Sequence, residues 1–123
     1  MTRINSYKEL IVWQKAMDLA VAVYALTTDF PRDEIYGLVS QMRRASVSIV
    51  SNIAEGWTRK NTKEYIQFLS VADGSAAELE TQLLLSEKLG FGKKDKPEQV
   101  AELILEIQKI LPSIMRSLKE TNR

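Results

Sequence analysis

Three sets of side chains in this 123-residue sequence have the types and spacing to do chemistry, beginning with Asp73, Glu80 and Glu87, which recur every seven residues. On a helix that repeat puts all three along one line, flanked by Ile66, Ala77 and Leu84. An acidic stripe edged by apolar residues suits a cation edged by apolar residues. Arg43 is such a cation, because on a helix over Tyr36–Trp57 it falls between Val47, Val50 and Ala54. A buried guanidinium left unpaired costs several kcal/mol. The two are therefore expected to meet across a helix or subunit interface, with Arg43, Val47, Val50, Ala54, Asp73 and Glu80 as interface residues.

The second set is Ser48, Ser51, Asn52 and Glu55, which share a narrow polar arc of the same helix with Ser40, Gln41 and Arg44. Its likeness to a hydrolytic cluster is superficial, since a serine nucleophile needs a base within hydrogen-bond reach and the arc holds none. Hydrogen bonds within the helix and to a neighbour are expected instead. Carboxylate-bridged di-iron bundles use Glu-x-x-His on two helices. This chain has no His and no Cys, and Glu55, Glu64, Glu78 and Glu102 fall on polar arcs. Disulfides, thiolate catalysis, His or Cys zinc sites and imidazole acid–base chemistry all lose their participants. No catalytic residue, metal or cofactor is expected, and the chain reads as non-enzymatic.

The third set is basic. In an up-and-down helical bundle one pole gathers Arg3, Lys8, Arg59, Lys60, Lys63, Arg116, Lys119 and Arg123 against Glu9, Glu55, Glu64 and Glu120, a local excess of +4 in a chain whose net charge is only +1. The other pole sets Arg32, Lys88, Lys93, Lys94 and Lys96 against Asp29, Asp33, Glu34, Glu87, Asp95 and Glu98. Arg59, Lys60 and Lys63 are the candidate nucleic-acid contacts, for RNA or DNA. Trp57 beside them offers a stacking surface for a base, although its place on the apolar arc favours core or interface.

These sets depend on the elements that hold them. The chain suits one domain over residues 1–123, with 45% apolar and 27% charged residues, near globular averages. MTRINSYKEL lacks the apolar core of a secretory signal, so a cytoplasmic location is expected. The longest apolar run, Leu19–Leu26, is far short of the ~20 residues that span a bilayer, and no membrane partner is expected.

Ser6 and Glu9 form a capping box that starts a helix near Tyr7. Its two apolar stripes are Val12, Ala16, Leu19, Val23 and Trp13, Met17, Ala20, Tyr24. Pro31 breaks the pattern before a single turn at Asp33 and Glu34. The next helix carries Leu38, Val39, Met42, Ala45, Val47, Ile49, Val50, Ile53, Ala54 and Trp57 on an arc about twice as wide as a surface helix needs. Gly56 is expected to cap it. Asn61 and Glu64 start a third helix whose heptad seam is Tyr65, Leu69, Ala72, Ala76, Leu79, Leu83 and Ser86. Gly74 and Ser75 in its middle suggest close approach by another helix, and Gly90 and Gly92 end it. Pro97 opens a fourth helix facing inward through Val100, Leu103, Ile104, Ile107, Leu111, Ile114 and Leu118, with Pro112 expected to kink or shorten it. The fold class is all-α, an antiparallel up-and-down four-helix bundle with helices near 7–27, 35–56, 62–90 and 97–119.

The stretches LIVWQKAMDLA, YGLVSQMRRASVSIVSNIAEG and FLSVADGSAAELETQLLL resemble, in order and spacing, the small bacterial four-helix-bundle proteins encoded by intervening sequences within large-subunit ribosomal RNA genes. SNIAEG and ELETQL are the most specific segments, and Val50 stands where many members carry Pro. The resemblance implies a ring-shaped homopentamer with no established enzymatic activity. The family is also similar in fold to the accessory variability proteins of diversity-generating retroelements, pentameric barrels that bind a reverse transcriptase and nucleic acid. The functional expectation is a non-enzymatic homo-oligomeric scaffold or adaptor that engages nucleic acid or a nucleic-acid enzyme, a protein partner, through a basic rim. The alternatives are a structural or small-ligand-binding ring and a hydrolase built on Ser51, Asn52 and Glu55.

Overall fold

Ser6 and Glu9 do form the expected capping box, in the computed structural model that describes residues 4–92 and 97–121. The Ser6 hydroxyl accepts from the Lys8 amide at 3.2 Å, and Glu9 accepts from the Asn5 and Ser6 amides at 2.8 and 3.0 Å. The box starts a 3-10 turn, Tyr7–Glu9, rather than the long helix. Leu10 is extended and α1 spans Ile11–Thr27. Tertiary contacts favour the break: Tyr7 packs on Trp13 with ring centroids 5.6 Å apart, and Gln14 donates to the Lys8 carbonyl at 2.9 Å.

After Pro31 a second 3-10 turn, Arg32–Glu34, delays α2 to Leu38–Trp57. Glu34 accepts from the Leu38 amide at 3.1 Å, satisfying one of the free donors at that helix start. Gly56 does not cap α2. It lies inside the helix without a positive φ, and a Cβ built there would stand 2.8 Å from the Phe68 Cβ and 3.0 Å from the Tyr65 ring. Its missing side chain is what lets α3 pass so close.

Asn61 caps α3 (Thr62–Lys88) by accepting from the Glu64 amide at 2.8 Å. The helix ends in a Schellman motif, with Gly90 at φ 79°, the Phe91 amide donating to Ser86 O and the Gly90 amide donating to Glu87 O. In α4 (Pro97–Thr121) Pro112 is interior and the helix continues for nine more residues. Buried Leu111 and half-buried Ile114, Met115 and Leu118 pack on the core and carry the helix past the missing amide.

Each helix packs on two others, α1 on α2, α2 on α3, α3 on α4 and α4 back on α1, with no diagonal packing among the described residues. The cross-contacts run in opposite directions along neighbouring helices: Ser48 meets Ser75 and Gly56 meets Phe68, while Glu80 meets Gln108 and Ile66 borders a groove with Leu118. The fold is the antiparallel up-and-down bundle. Leu19, Met42, Ile49, Ile53, Leu69, Leu79, Ile104 and Ile107 fill its core without measurable exposure beyond 1%. Each such burial is worth about 1.5–3 kcal/mol.

The wide arc of α2 is mostly satisfied within this one chain. Leu38, Val39, Met42, Ala45, Ile49, Val50 and Ile53 are buried, because α2 is wedged between α1 and α3. Val47 remains 41% exposed, and Ala54 and Trp57 are half-buried. Gly74 meets nothing within 4 Å, so the close helix approach expected there is absent, whereas Ser75 is buried against α2. Among the described residues there is no strand, and no helix is long and apolar enough to cross a membrane.

Candidate interaction surfaces

Arg43 leaves α2 toward the C-terminal end of α1, and its partners there are not carboxylates. Its Nε donates to Thr27 Oγ1 at 2.9 Å, its Nη2 donates to Tyr24 O at 3.3 Å, and its guanidinium lies 4.5 Å over the Tyr24 ring. The last carbonyls of α1 carry the negative end of that helix's dipole, and the ring face adds a quadrupole attraction. Among the described residues no carboxylate lies within ion-pair distance of it.

The acidic line lies elsewhere. Glu80 is exposed on the α4 side, where Gln108 Nε2 donates to it at 3.2 Å, and half-buried Asp73 has its pKa pushed above the ordinary 3.8 by desolvation. Within one chain the expected meeting of Arg43 with this line does not occur, because the two project from different seams of the bundle. Val50, expected at an interface between copies, is 8% exposed and belongs to the core. Val47, Ala54 and Arg43 still reach the surface.

On the polar arc of α2, Ser48 and Asn52 turn inward. The Ser48 and Ser75 hydroxyls are 2.9 Å apart, and Asn52 Nδ2 donates to Ser48 O at 2.8 Å and to Ser48 Oγ at 3.1 Å. This is the hydrogen bonding within a helix and across to a neighbour that the sequence suggested. Gln82, one heptad beyond Ser75 and 7% exposed, has an Oε1 without a partner. The sequence reading missed Gln82, which the seven-residue spacing from Ser75 could have placed on this face.

At the pole shared by the α2–α3 turn and the end of α4, Arg59 pairs with Glu55 at 3.4 Å and lies 4.5 Å over the Phe68 ring. Lys60 is exposed. Lys63 and Lys119 border a groove of about 330 Å³ floored by Ile66 and Leu118. Lys8, Arg59, Lys60, Lys63, Arg116 and Lys119 face four acids, leaving +2 among the described residues, while Arg3 and Arg123 lie outside them. Two of those acids, Glu9 and Glu64, are engaged in helix starts. At the other pole Lys93, Lys94, Asp95 and Lys96 also lie outside the described residues. Trp57 is half-buried rather than an open stacking platform. Among the described residues no three carboxylates are drawn together as a metal site.

The family model described as 23S rRNA-intervening sequence protein matches residues 8–113. A crystal structure at 1.70 Å resolution of a protein with unknown function from the S23 ribosomal protein family of Bacteroides thetaiotaomicron VPI-5482 is similar in fold, with a TM-score of 0.72 and 26% sequence identity. The similarity covers 85% of this chain and 98% of that one. No curated protein matches the chain.

Proposed function

We propose that this chain, which belongs to the 23S rRNA-intervening sequence protein family, is a non-enzymatic scaffold that self-associates and engages nucleic acid, or a protein carrying it, through its basic pole. The observation that carries this reading is the convergence on one groove of Lys63, from the start of α3, and Lys119, from the end of α4, with Lys60 and Arg59 just before Lys63 in the chain. Self-association is supported by the outer α1–α2 face, where Met17, Tyr24 and Val47 are 41%, 45% and 41% exposed beside Arg43. Apolar side chains gathered in this way mark an interaction surface.

A ring of five, the number that the resemblance implies, repeats the basic pole around one opening. A phosphate backbone on that rim releases counterions, so its affinity falls steeply with salt. Lys60 and Lys63 are the stronger contacts, since the Arg59 guanidinium is already shared between Glu55 and Phe68. These contacts read charge and shape rather than sequence.

The test is sedimentation together with anisotropy titrations of a structured RNA across salt concentrations. The wild-type chain is expected to be larger than its 14.0 kDa monomer and to bind with a steep salt slope. Replacing Arg59, Lys60 and Lys63 by Glu should keep the size and abolish binding. An assembled protein that binds no RNA or DNA below ~50 mM salt would instead be a structural or small-ligand-binding ring.

A further inference from the structure

The α1–α4 seam is the slimmest of the four, and it opens into a groove of about 510 Å³. Half-buried Ala22 and Leu103 floor it, Val21 stands at its outer edge, and Asp18, Glu102 and Glu106 line it with carboxylates. Val21 is 68% exposed in mid-helix, among the most exposed large apolar side chains of the chain. Lys15 pairs with Glu106 at one edge, leaving the rim acidic on balance. This groove shares no residue with the basic pole or with the Arg43 face.

Its chemistry selects an occupant. Rim carboxylates repel a phosphate backbone or an anionic lipid surface. A small hydrated cation would gain nothing from Val21 or Leu103. The groove runs along about two helical turns, from Asp18 to Ala25 on α1 and from Gln99 to Glu106 on α4, or ~10 Å. An added helix lying there would set apolar side chains at i, i+3 and i+4 on the floor and place lysines or arginines against the rim.

We propose that the α1–α4 groove docks a cationic amphipathic helix of a partner protein. Opposite charge along the rim sets the orientation and the rate of encounter, and the apolar floor holds the helix in place.

The test is fluorescence anisotropy with a labelled, ~18-residue helical peptide of Lys and Leu in amphipathic order, beside its Glu and Leu counterpart. The cationic peptide is expected to bind and the acidic one not. Asp18→Lys combined with Glu102→Lys should weaken binding at least ~10-fold. Val21→Ser should weaken it several-fold with no change in charge, while the exposed control pair Asp33→Lys and Glu78→Lys should leave it within about twofold. Equal losses from the groove and control pairs would overturn the proposal, since only general surface charge would then be at work. So would an unchanged affinity in Val21→Ser, or dissociation of the protein's own assembly by the Asp18 and Glu102 reversals, which would make a second copy the occupant.

Discussion

The guanidinium of Arg43 stands 4.5 Å from the centre of the Tyr24 ring while donating to the carbonyl of the same residue at 3.3 Å. One α1 residue thus supplies both a ring face and a backbone acceptor to a cation from α2. Arg43→Met keeps the aliphatic stem and removes these interactions together with the bond to Thr27. We expect it to destabilise the fold by about 1–2 kcal/mol, measured by urea unfolding at fixed protein concentration. Tyr24→Phe, which retains the ring and the carbonyl, should cost far less than Tyr24→Ala. Arg43→Glu tests a further role in assembly: loss of the oligomer in light scattering is expected if Arg43 also meets the acidic line of a neighbouring copy.

Two glycines should respond to alanine in opposite directions. At Gly56 the new Cβ would stand 2.8 Å from the Phe68 Cβ, so α3 must shift. We expect Gly56→Ala to cost about 1–3 kcal/mol, more than the ~1 kcal/mol gained in helix propensity. At Gly74 nothing lies within 4 Å. Gly74→Ala should therefore stabilise by about 0.5–1 kcal/mol, read as a higher thermal midpoint. A smaller assembly in that variant would place a neighbouring copy against Gly74.

The Ser48–Ser75 pair, 2.9 Å apart, predicts non-additive mutations. Ser75→Ala leaves the Ser48 hydroxyl with Asn52 alone and should cost about 1 kcal/mol. The double variant Ser48→Ala with Ser75→Ala should cost less than the sum of the singles, because no hydroxyl is then left unsatisfied. A double-mutant cycle by chemical denaturation measures the coupling.

Asp73 predicts a pH dependence. Burial raises its pKa above 3.8, so the folded state holds the proton more tightly than the unfolded chain. That contribution to stability is complete below pH 3.8 and is lost as pH rises through the raised value. At pH 7 the ionised Asp73 is a small net cost. Asp73→Asn should stabilise the protein there by no more than about 0.5 kcal/mol, given its partial solvation, and the gain should vanish in acid. Thermal melts of both proteins across pH check the sign.

How far the sequence could be taken differs between helices. For α3 and α4 the inward faces were largely legible: Leu69, Ala72, Ala76, Leu79, Leu83 and Ser86 are buried, as are Val100, Ile104, Ile107 and Leu111, while Tyr65, Leu103, Ile114 and Leu118 of the same predicted faces are half-buried against the core. A three-four spacing repeated over several turns leaves one way to turn the helix. The broad arc of α2 gave no such answer. It showed that more than one neighbour was needed, and α1 and α3 of the same chain supply most of that cover. The basic pole was legible as topology plus charge counting, whereas the engagement of Arg59 by Phe68 and Glu55 was not, since Phe68 lies on another helix.

The sequence by itself determined four helices in an up-and-down order and the caps at Asn61 and Gly90, though not the starts of α1 and α2, because caps follow from local hydrogen-bond geometry and the faces of α3 and α4 from an apolar periodicity that only one face can satisfy. Tertiary structure alone decided which partner each ambiguous residue takes. Arg43 needed compensation for its charge, and that could come from a carboxylate, a helix C-terminus or a ring. Gly56 had two available uses, a left-handed cap or a close crossing, and the approach of Phe68 and Tyr65 selected the second. The reason is the same in both cases: local sequence fixes what a residue requires, but several groups can meet that requirement, and only the three-dimensional path of the other helices determines which of them is within reach.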